Sequence, residues 1–184
     1  MATYGNKITT PMGRIAFPYA FEKAKSLDPD KEGKYEVTLY IPKEDDISKL
    51  LEEINRVAKE AFGSRYIGQD KLKHPPIKDG DEKGTDHPAY GHWIVRGKSN
   101  SKPAVVKGDL SPLTEKEDLY GGCYGKLNLT PASYQIPSGW GITFYLNAVQ
   151  KVKDGEKFAG TASSPEDMFE AFSGDTSMSM DDHF

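Results

Sequence analysis

The sequence predicts a mainly β body with one substantial α-helix and an acidic flexible tail, and three observations carry that reading. The 18 glycines and 12 prolines among 184 residues break the chain into short elements and favour strands joined by turns. Apolar residues recur at every second position in several segments and at helical spacing in only one. The ending, residues 165–184, holds six carboxylates and no lysine or arginine. A second full core would need more chain, so the domain is set at residues 1–164 and the tail at 165–184.

Lys7 to Tyr19 reads as a strand interrupted around Pro11, Met12 and Gly13, with Ile15 and Phe17 as its apolar positions. Tyr35, Val37, Leu39 and Ile41 alternate with Glu36, Thr38 and Tyr40, the pattern of a half-buried strand ending at Pro42. From Asp46 the period changes: Ile47, Leu50, Leu51, Ile54, Val57, Ala58, Ala61 and Phe62 share one helical face, with Asp46 as N-cap and Gly63 as the stop. The other face mixes Glu52, Glu53, Arg56, Lys59 and Glu60 and reads as solvated surface. Ser64 to Tyr90 shows no sustained period and is long for a connection, as functional loops often are. Strand signals return at His92 to Lys98, Pro103 to Lys107, Cys123 to Tyr134 and Trp140 to Lys153, the last two as a hairpin around Pro137, Ser138 and Gly139.

Composition bounds the chemistry. The single cysteine, Cys123, cannot form an internal disulfide, and Met1 to Thr10 lacks the pattern of a signal peptide, so a reducing cytoplasm is expected. No apolar run is long enough to span a membrane. His74, His87, His92, His183 and Cys123 show no paired ligand spacing, and no metal or cofactor is predicted. Asp79, Asp81, Glu82 and Asp86 could form a nuclease-like carboxylate cluster, but in a Gly- and Lys-rich loop they read as a solvated turn. Gly97-Lys98-Ser99 has five residues before it back to Gly91 where a phosphate-binding loop needs four, and those residues read as a strand. No nucleophile motif frames any serine, so no catalytic residue is predicted.

The net charge of −4 hides an asymmetry: Glu166, Asp167, Glu170, Asp175, Asp181 and Asp182 bring −6 to the tail, leaving +2 on residues 1–164. On that body, aromatics interleave with bases along strand-like segments. Trp93 stands with Arg96 and Lys98, Tyr124 with Lys126, and Tyr145 with Lys151 and Lys153, and Tyr40, Arg14 and Lys107 join them. Single-stranded nucleic acid is held in this way, bases stacking on aromatic faces while cations follow the phosphates. A strand tyrosine equally serves core or cross-strand packing, so the set carries more weight than any one member.

Several stretches resemble a family of bacteriophage single-stranded DNA-binding proteins with an OB fold and an acidic C-terminal tail. They are Gly13-Arg14-Ile15-Ala16-Phe17 to Phe21-Glu22, Lys34 to Lys43, Asp79-Gly80-Asp81-Glu82, Leu119-Tyr120-Gly121-Gly122-Cys123-Tyr124, and Leu146 to Gly155, in family order over nearly the whole chain. The resemblance implies a five-stranded OB-fold barrel that binds single strands across one face and its loops during phage DNA replication or recombination in the host cytoplasm. It also implies that the end, Asp181-Asp182-His183-Phe184, recruits phage replication or recombination proteins through Asp181, Asp182 and Phe184. Ser164, Pro165, Glu166 and Asp167 ahead of Met168, Phe169 and Phe172 predict a short amphipathic helix within the tail. Three rivals stay open: an RNA-binding OB domain, which would contact 2′-hydroxyls, a protein-interaction module acting through the tail, and the metal nuclease.

Overall fold

A chain this rich in Gly and Pro forms strands wherever alternation persists and bends wherever an amide is missing or a side chain is absent. The structure, a computed structural model, describes residues 2–158; the tail at 165–184, with its expected helix and Asp181, Asp182 and Phe184, lies outside the described residues. The expected first strand is two, β1 (Ile8–Thr9) and β2 (Gly13–Tyr19), parted at Pro11, which has no amide to donate. The ladder of β2 shifts between Ala16 and Tyr19, where Phe17 takes a left-handed φ of 49°. There follow β3 (Tyr35–Pro42), α1 (Ser48–Phe62), β4 (Ile77–Asp79), β5 (His92–Ser99), β6 (Ala104–Lys107), β7 (Tyr124–Ile136) and β8 (Gly139–Lys153).

The helix begins two residues after Asp46, which is not its N-cap; its carboxylate instead accepts the Ser48 amide at 2.9 Å. That bond holds the Asp46 carboxyl below its ordinary range. Gly63 ends the helix at φ 60°, as expected, and donates to the Lys59 carbonyl. Leu50, Ile54, Val57, Ala58 and Phe62 bury the apolar face in the main core with Val37, Leu39, Ile41, Leu127, Leu129 and Phe144. Most of these side chains are wholly removed from water, each burial being worth about 1.5–3 kcal/mol.

Five strands pair in a cycle: β7 with β2, β2 with β3, β3 with β5, β5 with β8, and β8 with β7. Every junction is antiparallel except β5–β8, a short parallel contact of Gly97 with Phe144 and Lys98 with Tyr145. The remaining strands lie outside the cycle, β1 on β7, β4 on β5, and β6 parallel to β8. The described residues thus form eight strands where six strand segments were read from the sequence, five of them in the pairing cycle. Short β4 was missed because three residues show no period.

Gly97 belongs to this packing and to no phosphate loop. A Cβ there would lie 2.6 Å from Leu129 Cδ2 and 3.1 Å from Leu146 Cβ, so only glycine lets β5 sit against the core at the parallel junction. Gly97→Ala is expected to destabilise the fold by about 1–3 kcal/mol through overpacking. In urea unfolding this reads as a lower midpoint at an unchanged slope; a wild-type midpoint would show that the junction yields freely.

Candidate nucleic-acid interface

Because side chains alternate across a strand, the registers decide which residues share the outer face of the cycle. Val37, Leu39 and Ile41 point into the core, so their neighbours on β3, Glu36, Thr38 and Tyr40, point out. One cross-strand row runs Tyr124, Arg14, Tyr40, Ile94, Lys78 over β7, β2, β3, β5 and β4. The next carries Ala16, Thr38 and Arg96. A third runs Tyr19, Glu36, Lys98, Tyr145. The outer rows stand four residues apart along β3, about 13 Å.

The third row is open and basic. Tyr145 is 39% exposed and Tyr4 60%, and their rings stack at 5.9 Å with 26° between planes. Burial lowers the Lys98 pKa first, and the neighbouring charge of Arg96 lowers it further; Lys34 and Lys78 add to that field while Glu36 opposes it. Glu36 meets Arg96 at 3.7 Å. Sequence reasoning found Arg96, Lys98 and Tyr145 but missed Lys34, Lys78 and Tyr4. Lys78 sits on the three-residue strand that no pattern marks, and Tyr4 precedes any strand signal and reaches Tyr145 only through its bridge to Ala132.

The first row is covered. Tyr40 was expected to stack on bases, but it is 2% exposed, under Phe158 at 5.7 Å and His87 at 6.0 Å between ring centroids. Burial raises its pKa. Arg14 donates from Nε to the Gly122 carbonyl at 2.7 Å and from Nη2 to the Glu156 carbonyl at 2.6 Å. Its guanidinium also lies 4.8 Å from the centres of Tyr124 and Phe158, so two of its five N–H donors and its ring contacts are already used within the protein. This row anchors the strap of residues 154–158 that follows β8. Glycine makes the crossing possible: a Cβ on Gly122 would meet the Glu156 carbonyl oxygen at 2.1 Å, and one on Gly155 the Gly122 oxygen at 2.2 Å.

Other expected contacts distribute around that strap. Lys153 covers Tyr124 at 4.8 Å. Lys151 lies 5.1 Å over Tyr120 and 2.5 Å from Asp154, opposite Lys107 across β6–β8. Half-buried Lys126 pairs with Gln150 on the hairpin.

Trp93 does not join Arg96 and Lys98. It pairs with Ile41, so it lies on the core side of β5, packed against the main core beneath the Lys43 ammonium at 4.8 Å. Lys43 also bridges Asp79 at 2.6 Å and Asp81 at 2.8 Å, hydrogen bonds that hold both carboxyls below their ordinary range. Asp81 further accepts the Gly91 amide at 2.7 Å. These carboxylates close a loop, and among the described residues no group of three or more His, Cys, Asp or Glu side chains could hold a metal ion. Cys123 is buried, which raises its thiol pKa.

The single-stranded DNA-binding protein of bacteriophage Enc34, solved in complex with ssDNA, is 28% identical at a TM-score of 0.71, over 83% of this chain and 89% of that one. Another structure of the Enc34 protein matches at 26% identity and a TM-score of 0.68, over 88% and 89% of the two chains. Gp2.5, the single-stranded DNA-binding protein of bacteriophage T7, shares the fold at 17% identity and a TM-score of 0.56, over 85% and 91%. No curated protein sequence matches the chain closely enough to count as a relative. The family model described as Enterobacter phage Enc34, ssDNA-binding protein, matches residues 6–182, and the chain belongs to that family.

Proposed function

We propose that the chain binds single-stranded DNA without sequence preference and protects exposed strands during phage DNA replication or recombination. The observation that carries this reading is the open end of the outer face, where the cations Arg96, Lys34 and Lys78 surround Lys98 against the one opposing charge of Glu36, beside the exposed Tyr145–Tyr4 stack. Unbalanced positive charge attracts the phosphate backbone, and each base offers a π-face whatever its identity. The cycle of β2, β3, β5, β8 and β7, closed by one parallel junction, supports a five-stranded OB-fold barrel with β3 and β5 as its binding strands.

In this reading the chain is a binding protein with no catalytic residue. Its body spans residues 1–164, and the tail at 165–184 recruits phage replication or recombination proteins through Asp181, Asp182 and Phe184. It works in the host cytoplasm; among the described residues no helix is long and apolar enough to cross a membrane.

Single-stranded oligonucleotides are expected to bind far more tightly than duplex of the same sequence. With about four phosphates neutralised, log K should fall against log salt at a slope of about −3. Equal affinity for duplex, or a flat salt dependence, would overturn the reading, and tighter binding to RNA of the same sequence would transfer it to RNA.

Tyr145→Ala should weaken binding by about 1–3 kcal/mol, the worth of one stacked base, with an unchanged circular dichroism spectrum. Trp93→Ala, on the core side, should lower the unfolding midpoint while the folded variant keeps its affinity. The reverse pattern in fluorescence anisotropy would place the stacking surface at the other side of β5.

Lys98 supplies a pH test. A phosphate stabilises the charged ammonium, whose pKa in the free protein lies below the ordinary lysine value of 10.5. Binding is therefore full at neutral pH and falls as pH rises through that lowered pKa, before other lysines titrate. Lys98→Arg keeps its charge throughout and should remove this early alkaline loss; identical pH profiles for the two proteins would show that Lys98 meets no phosphate.

A further inference from the structure

Away from the outer face, the segment joining α1 to β4 meets the tip of the β7–β8 hairpin around a cleft of about 290 Å³, lined among others by Arg65, Ile67, Lys71, Lys73 and Trp140. Three cations, Arg65, Lys71 and Lys73, line it together with the Trp140 indole. The Arg65 guanidinium lies 5.0 Å from the Trp140 ring centre and 5.5 Å from that of Phe62, and Phe62 backs the indole at 4.4 Å. Stacking holds the guanidinium plane in place, so its outward edge is preorganised for an anion.

The charges are poorly balanced. Among the described residues Arg65 and Lys73 have no carboxylate partner, and Lys71 has only Asp70 at 3.9 Å with both side chains mostly exposed, a pair worth little in water. Packing against Trp140 accounts for Arg65 but not for two further lysines beside it. Their mutual repulsion is relieved when an anion enters. Exposed Ile67 lines the opening and offers apolar surface rather than charge.

A route links this cleft to the outer face. Tyr134 pairs with Gly141 on the same side of the hairpin as Tyr145, and its ring lies so close over Gly141 that a Cβ there would meet it at 2.9–3.2 Å. Trp140 precedes Tyr145 by five residues of strand, about 17 Å. Trp140 lies on the other, core-facing side of β8 with Ile142 and Phe144, so a single strand running from Tyr145 along Tyr134 would round the hairpin tip to reach the cleft.

We propose that the cleft is a second subsite for the same single-stranded DNA, in which Arg65, Lys71 and Lys73 take backbone phosphates and the outward face of Arg65 takes a base. The inference rests on the single-strand reading and extends it to an element outside the pairing cycle. Base stacking on a guanidinium plane is a common mode in single-strand recognition.

The test uses the full chain, an Arg65→Gln/Lys71→Gln/Lys73→Gln variant, and oligothymidylates of about 6 and about 16 nucleotides. The short probe should bind parent and variant alike, since the outer face suffices for it. For the long probe the variant should lose about tenfold in affinity at low salt, and its salt slope should be shallower by about 2, the share of three phosphates. Lys71→Gln/Lys73→Gln keeps the Arg65–Trp140 stack and should still lose about 1 from the slope. Trp93→Phe leaves Trp140 as the only tryptophan of the two in the chain, and its emission should respond to the long probe and not to the short one. A parent that binds neither probe would overturn the single-strand reading together with this inference. A parent that binds both, with variants that keep its slope for the long probe or weaken both probes equally, would overturn the subsite alone.

Discussion

The parallel contact between β5 and β8 is the constraint on which the rest of the structure depends. It joins the two ends of the antiparallel run β5, β3, β2, β7, β8 through only two residue pairs, Gly97 with Phe144 and Lys98 with Tyr145. One pair faces inward, where Gly97 leaves room for Leu129 and Leu146. The other faces outward and sets a half-buried lysine beside an exposed tyrosine. Closure of the fold and assembly of the binding row are therefore one event, and a shift of register by one residue would turn Lys98 and Tyr145 toward the core.

Electrostatics on that row act locally rather than through the whole chain. In a protein of net charge −4, burial first and then the neighbouring cations lower the Lys98 pKa, and many carboxylates are occupied elsewhere. Asp79 and Asp81 hold Lys43, Glu53 holds Arg56 and Asp154 holds Lys151. Among the neighbouring charges that act on Lys98, Glu36 is the one carboxylate. Phosphate binding restores to Lys98 the counter-charge that burial withholds, so the cost of holding an ammonium there is recovered only in the complex.

The strap after β8 explains why one end of the outer face differs from the other. Gly122 and Gly155 allow two backbone segments to touch, the Tyr120 hydroxyl donates to the Gly155 carbonyl and accepts its amide, and Phe158 then seals Tyr40 beneath it. Two stretches that drew attention in the sequence, 119–124 and 146–155, thus meet in space. Arg14 and Tyr124 become structural there, and stacking on nucleic acid is left to the open Tyr145 end.

Alternation and helical period are properties of neighbouring residues, which is why Val37, Leu39 and Ile41, the helix ending at Gly63 and the β7–β8 hairpin were all legible from the sequence, as was the segregation of acid into residues 165–184. The same local pattern located a strand at Trp93 to Lys98 without saying which side of it faced inward. That side was set by partners: Trp93 lies against Ile41 and therefore toward the core, while Arg96 and Lys98 point away. Lys78 came within reach of the Lys98 charge, and Tyr40 left the exposed surface, through contacts between segments far apart in the chain, β4 on β5 and Phe158 on β3. Residue type and spacing determined that this protein has strands bearing cations and aromatics; only the tertiary pairing decided which of them share a face, because a strand's two sides are chemically distinguished by what packs against them and not by the strand itself.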